Sequence, residues 1–349
     1  MNSIQRLTHA DNSPIVPIVR YNNGPWFIDQ VRPVTKVAMT PGPFHEGERY
    51  VQERAGEREV AVRNGWLVAE AIPVRAIPFL AQQRMLAIGS VDEHGAVSAS
   101  VVFGVPAFAY SPDGLSVVLD RTRTHASPGD PVWNNLRVGV AVGLLAIELG
   151  SRRRLRINGV VSTLDAARIE VSVREAYPNC PKYIQRRHLR EEPGIRRSES
   201  QPHASGVSLD EARSLVVERI DTFFVASRHP TRGLDVSHRG GTPGFVRVLD
   251  PIRLRIPDYG GNGMFNTLGN FTVDDRAGLV FVDFDRGSLL QMTGTAAVHF
   301  DEAEDPRQPT GGTGRYWDFH VDRWLESAIP TPIASELLDY SVHNPTAPA

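Results

Sequence analysis

The sequence predicts a mainly β protein with peripheral helices, built as two tandem copies of one small barrel or sandwich. Two observations lead there. From residue 79 short apolar runs alternate with turns rich in Gly, Pro and Asp, the texture of an antiparallel all-β domain. The second half of the chain then repeats the first, segment by segment and in the same order.

Residues 1–43 are rich in Pro and Asn and read as an extended arm over the body. Residues 44–70 are charged, with Val51, Ala55, Val60 and Val62 at helical spacing, so one or two surface helices are expected. Strands follow over Met85–Val91, Val97–Phe103, Leu115–Leu119, Val138–Leu149 and Leu155–Val161. Residues 163–220 carry helix formers, so helices are expected at Ala166–Tyr177 and Leu209–Ile220. Ser208 would cap the second, with Glu211 completing a capping box. Glu191–Gly206 reads as a loop.

The repeat begins at residue 221. Phe223–Ser227 mirrors Met85–Gly89, and Gly241-Thr242-Pro243-Gly244-Phe245 mirrors Gly104-Val105-Pro106-Ala107-Phe108. Phe265–Leu268 mirrors Trp133–Leu136, Gly278–Asp283 mirrors Gly143–Glu148, and Leu290–Gly294 mirrors Leu155–Gly159. The tail after Phe300 reads as a strand, a short helix and a docked end. The expected organisation is an arm (1–43), a first domain with flanking helices (44–205) and a second domain with the tail (206–349).

Composition narrows the function. A net charge of −2 gives no whole-chain field for nucleic acid or an anionic membrane, so an anion site must be local. No apolar run is long enough to span a membrane, and the start of the chain lacks a secretory core, which points to the cytoplasm. The single cysteine, Cys180, excludes an intramolecular disulfide and a Cys-cluster metal site, and no metal site is indicated.

The chemistry concentrates in Ser237–Asn270. A basic, glycine-rich turn (Ser237, His238, Arg239, Gly240, Gly241) precedes an apolar run, and a Gly/Asn-rich segment follows it. Glycines let backbone N–H groups approach an anion and an arginine can fork onto it, so the pair suits a phosphate-bearing ligand. Gly260, Gly261, Asn262 and Gly263 would form an anion-binding nest beside Met264, with Asn266, Thr267 and Asn270 as phosphate contacts or helix caps. The run is no dinucleotide fingerprint, because Asn266 stands where the third glycine belongs and the context is β-rich. Asp258 and Tyr259 precede the nest. Pro243, Gly244 and Phe245 offer backbone donors, and Gln291 reaches in from a late strand. In the first copy Val101, Val102 and Phe103 replace the basic turn, so one competent site per chain is favoured.

The motifs FHEGERYVQERAG (44–56), AVGLLAIELGSRRRLRINGVV (141–161), YPNCPKYIQRR (177–187), SHRGGTPGFVRVLD (237–250), PDYGGNGMFNTLGNFTVDDRAGLVFVDF (257–284) and LDYSVHNP (338–345) resemble the flavin-nucleotide-binding proteins of the pyridoxamine 5′-phosphate oxidase-like, split-barrel superfamily. Within that group the chain is similar to the double-barrel branch. The resemblance implies two tandem split β-barrels with FMN in the seam between them, and phosphate contacts at His238, Arg239 and Asp258–Asn270. It implies an FMN-dependent oxidoreductase that passes hydride to or from a small molecule, with NAD(P)H or a reductase as electron donor. A non-catalytic flavin carrier, or a split barrel holding haem or a deazaflavin, is the alternative. Where the oxidase itself has an Arg-Lys pair, this chain reads Gly261-Asn262-Gly263-Met264, which argues against pyridoxamine phosphate as substrate. A homodimer stays compatible, since duplication satisfies one seam without covering every edge strand. Arg239→Ala is expected to lose flavin affinity with the fold kept. A flavin titration showing unchanged affinity would move the phosphate site elsewhere.

Overall fold

In the computed structural model of the chain the described residues are 42–125, 127, 129–191, 204–303, 305–331 and 333–345, and together they form one compact unit. The arm expected at 1–43 and the loop expected at 191–206 fall largely outside the described residues.

Helices α1 (Glu46–Arg54), α2 (Arg58–Asn64) and α3 (Ile77–Ala81) open the body. A first sheet follows: β1 (Met85–Val91), β2 (Val97–Gly104), β3 (Ala109–Tyr110), β4 (Ser116–Asp120), β5 (Thr124–His125), the short helix α4 (Val132–Asn135), β6 (Ala141–Glu148), β7 (Arg153–Leu164) and β8 (Arg168–Pro178). Two short strands, β9 (Arg186–Glu191) and β10 (Ala204–Gly206), and helix α5 (Glu211–Arg219) lead into the second half. The second sheet holds β11 (Thr222–His229), β12 (Gly233–Gly240), β13 (Arg247–Asp250), β14 (Arg253–Pro257), then, after helix α6 (Asn266–Phe271), β15 (Arg276–Asp283), β16 (Ser288–His299) and β17 (Tyr316–Ala328). A last strand, β18 (Ile333–Asp339), pairs with β9.

The two large sheets share one topology. The first runs β3-β4-β8-β7-β6-β1-β2-β5 and the second β13-β14-β17-β16-β15-β11-β12. Apart from the extra edge strand β5 in the first and β10, which pairs with β17, in the second, each strand of one has its counterpart in the other, and neighbouring strands in both run antiparallel. The fold is two tandem split β-barrels.

Strand alternation explains how they pack. In β11, Phe223 and Val225 point into the core of the second barrel, with Leu279, Phe281, Met292 and Trp317. Phe224 and Ala226 face the other way, into a second cluster with Met85, Ala87, Val97, Ala99, Leu145 and Val236. That cluster is the seam between the barrels. Strands buried on both faces read as continuous apolar runs, which is how β11 looks in the sequence. At the seam backbones nearly touch. A Cβ on Gly143 of β6 would lie 3.0 Å from Val236 N, and one on Gly278 of β15 would lie 2.6 Å from Ala99 N.

Four local expectations are corrected. Ala166–Tyr177 is not a helix: most of it lies in strand β8, with Ile169 and Val171 turned inward. Its charged residues resemble helix formers, but β-branched residues at period two and ladders to β4 and β7 decide the outcome. Helix α5 is capped by Asp210, whose side chain accepts from Arg213 N, rather than by Ser208. The carbonyl of Ser208 instead accepts from Trp324 Nε1 at 2.8 Å. The tail contains no helix among the described residues; β17 runs into β18, which finds an edge partner in β9. Residues 180–187, inside the span 163–220 read as rich in helix formers, are not helical either; they link β8 to β9 and enter that strand.

Gly278→Val should lower stability by about 1–3 kcal/mol or more, because the new atoms meet backbone that cannot turn aside. Gly261→Ala, with open space around its Cα, should leave denaturant midpoints unchanged. Equal midpoints for wild type and Gly278→Val would show that the sheets are not in backbone contact.

Candidate functional site

A cleft of about 820 Å³, its open mouth included, lies where the two barrels meet. Strand β7 of the first sheet supplies Arg154 and Arg156, two residues apart and therefore on one face. The segment after β8 adds Asn179, Cys180, Lys182 and Tyr183. Strand β12 and its exit contribute Ser237, His238, Arg239, Gly240 and Phe245, and the turn before α6 completes the wall from Pro257 to Leu268.

Of the residues picked from sequence, Ser237, His238, Arg239, Gly240, Phe245, Asp258, Tyr259, Gly261, Asn262, Gly263, Asn266 and Thr267 line this cleft. The others stand elsewhere. Gly241 donates its N–H to Asp221 O behind the wall, with no room for a side chain beside Phe245. Pro243 and Gly244 form an exposed turn whose Gly244 N–H bonds Glu218 O on α5. Met264 is buried with Phe44, Ala61 and Tyr177. Asn270 donates to Ser227 Oγ at 2.9 Å, inside the fold. Gln291 is buried at a different part of the seam, donating to Ala99 O at 2.9 Å and Ser100 Oγ at 3.0 Å. The 260–263 turn also differs from a glycine nest: only Gly263 has positive φ (71°), and Asn262 Oδ1 accepts from Met264 N. Asn266 does not cap α6; Phe265, at φ 60°, occupies that position and makes no side-chain cap.

The electrostatics divide the cleft into a satisfied floor and an unsatisfied wall. On the floor Arg156 crosses from the first barrel to the second. It pairs with Asp235 at 2.8 Å, donates to Asn266 Oδ1 at 3.0 Å and to Tyr177 O–H at 3.2 Å, and also meets Ser237 Oγ. Burial works against its charge, but Asp235 and Tyr177 outweigh burial and hold its pKa above the ordinary value. Ser237 Oγ lies 2.7 Å from Thr267 Oγ1.

On the wall Arg239 is already engaged. Asp258 accepts from its Nη1 at 2.8 Å and from Arg315 Nε at 3.0 Å. Arg154 is different. It keeps surface toward the cleft, its Nε is buried without a partner, and no carboxylate pairs with it among the described residues. Its nearest polar contacts are His238 Nδ1 at 3.4 Å and His238 O at 3.5 Å. Burial, joined by repulsion from Arg156 and Arg239, lowers its pKa to about 10, even against the pull of the Cys180 thiol. His238 is pushed well below its ordinary value by burial, then by Arg154 and Arg239, so it is neutral, with Nε2 unpartnered. Arg154 and Arg156 were not among the residues singled out from sequence. The signal was present in the run Ser151–Arg156, where period-two reading puts Leu155 inward and both arginines on the opposite face.

A second group outside the cleft offers His45, Glu46 and His229 at metal-ligand spacing. Each histidine Nδ1 accepts backbone N–H bonds, from Gly47 in one case and from Thr231 and Arg232 in the other. Each Nε2 therefore carries the proton, which leaves no lone pair for an ion.

The fold and the cleft together define the protein as a tandem split barrel with a cationic seam site. No family model matches the sequence, and no curated protein matches it. Solved structures do align. A HupZ protein from Group A Streptococcus aligns at TM-score 0.26 and 12% identity, over 38% of this chain and 99% of its own. A putative pyridoxamine 5′-phosphate oxidase from Lactobacillus delbrueckii aligns at 0.27 and 17%, over 34% and 93%. An F420 reductase aligns at 0.25 and 14%, over 34% and 98%.

Beneath the floor, Glu48 of α1 joins the N-terminal helices to the site. It accepts from His45 N at 2.8 Å and contacts Asn266 Nδ2. Burial raises its pKa to about 8, opposed by the His45 N–H and reinforced by Glu175 and Asp235. A carboxyl raised on folding holds extra protons in the folded state between its ordinary value and about 8, so its contribution is full in acid and is lost as pH rises through that window. Melting temperatures of wild type minus Glu48→Gln should therefore fall between pH 5 and pH 8.5; parallel curves would mean the carboxyl is not buried under the site.

Proposed function

We propose that the protein binds FMN in the seam cleft and is a flavin-dependent oxidoreductase acting on a small molecule. The observation that carries this is Arg154, a guanidinium held among Arg156, Arg239 and His238 with no acidic partner among the described residues. A guanidinium left without its own carboxylate at an open space, beside two that are paired, favours entry of an anion, and a phosphate monoester dianion fits such a donor set. The residues present fit the rest of the cofactor. Tyr183 and Tyr259 stand with ring centroids 4.9 Å apart on one wall, and Phe245 and Leu268 add apolar surface.

In this reading Arg154, Arg239 and Lys182 would hold the phosphate, with Asp258 fixing the Arg239 fork. Ser237 and Thr267 would offer hydroxyls, and Asn266 an amide kept in place by Arg156 and Glu48. The aromatic wall would exclude water from one side of the ring. Hydride chemistry would come from the bound cofactor, so no protein nucleophile is needed. NAD(P)H or a reductase would supply electrons. His238, neutral and hemmed by two arginines, would act as a hydrogen-bond donor through Nε2.

The experiment is a flavin titration of wild type and Arg154→Gln, read by fluorescence quenching and thermal melts. Wild type should bind FMN and gain stability with it. Arg154→Gln should lose the binding yet melt no lower than ligand-free wild type, gaining up to about 1 kcal/mol from relieved repulsion. Equal FMN binding by both forms would overturn the assignment. Anaerobic addition of NADH or NADPH to the flavin complex separates an enzyme from a carrier, which no donor would reduce.

A further inference from the structure

The two barrels meet at a seam with two equivalent ends, and only one is the cleft. The strand registers make the equivalence explicit. Ser100 sits opposite Ile88 as Ser237 sits opposite Val225, which corrects by one residue the match expected from sequence and pairs Phe223–Ser227 with Leu86–Ser90. Arg156 sits opposite Leu145 as Gln291 sits opposite Val280. The glycine contacts obey the same relation, Gly143 against Val236 and Gly278 against Ala99. Arg156 crosses the seam to Ser237, and Gln291 crosses it the other way to Ser100.

At the second end the cleft chemistry has been exchanged for core. Carrying the same registers along the strands, Leu289 stands where the cleft has Arg154, Val101 where it has His238, and Phe103 where it has Gly240. These three side chains are buried in one cluster with Ile184, Ile329 and Ile333, beside the strand pair β9–β18. Gly240, by contrast, has no room for a Cβ, which would fall 2.1 Å from Tyr183 O. Below the filled end Gln291, Ser100 and Asp130 form a buried polar net, with Ser100 Oγ donating to Asp130 Oδ1 at 2.5 Å.

We infer that the chain is an internal duplication, divided near residue 205, in which one of two equivalent ligand sites has been filled by its own side chains, so that the cleft ligand binds once per chain. The exchange of Arg156 for Gln291 and of Arg154 for Leu289 distinguishes the open end from the filled one. This rests on the FMN reading only for the choice of ligand.

Two measurements test it. In a Cys180→Ser background, Ser237→Cys and Ser100→Cys place one thiol at each equivalent position. With dithiodipyridine, a neutral reagent, the Ser237→Cys protein should react about 100-fold faster or more, since the filled end is reached only through local opening. Comparable rates would show that the two ends are equally accessible and overturn the inference. Because Ser100→Cys disturbs a buried net, the second measurement uses wild type: native mass spectrometry during an FMN titration. One FMN per chain is expected, and two per chain would overturn the inference. If no FMN binds, the flavin reading fails, and the labelling rates still decide which end is open.

Discussion

Everything in this molecule depends on two sheets coming close enough for backbone to meet backbone. Gly143 and Gly278 permit it, one from each barrel, each facing a strand of the other. Their contact brings β7 and β12 within side-chain reach, and the cleft is the space left where that reach is incomplete. A methyl group at either glycine would separate the sheets and with them the two halves of the cleft wall. The Arg156–Asp235 pair then ties the seam across. Buried ion pairs add little net stability, but breaking one leaves an uncompensated charge, so this pair fixes position more than it adds strength.

The sequence revealed the strands because most are buried on one or both faces, and apolar periodicity records burial directly. It pointed to two halves of one strand order because glycine contacts and turn residues recur at matching positions: Gly104–Phe108 and Gly241–Phe245 make the same exit from β2 and β12. It misled at β8, where Arg168, Glu170, Arg174 and Glu175 sit on a half-exposed strand and imitate a helix surface. Only the ladders on both sides of that strand resolve it, and they are not local.

At the cleft the segment 237–267 was legible through its glycines and its arginine. Which arginine lacks a partner was not. Arg239 looked the more available because of its flexible neighbours, yet Asp258, nineteen positions on, neutralises it. Arg154 belongs to a run that resembles any solvated basic face, and its isolation follows from a seam formed with residues more than eighty positions away. Gln291 was misplaced for a related reason. It is the counterpart of a cleft residue, so its strand position was right, but it serves the opposite end of the seam.

The cleft draws its walls from residues 154–183 in the first half and 237–268 in the second. A nascent chain therefore has no complete site while only its first barrel has emerged, and none until the second has docked onto it. Filling of the cleft by any ligand would be the last event in maturation, unable to guide folding of the first barrel and able to lock only a finished pair.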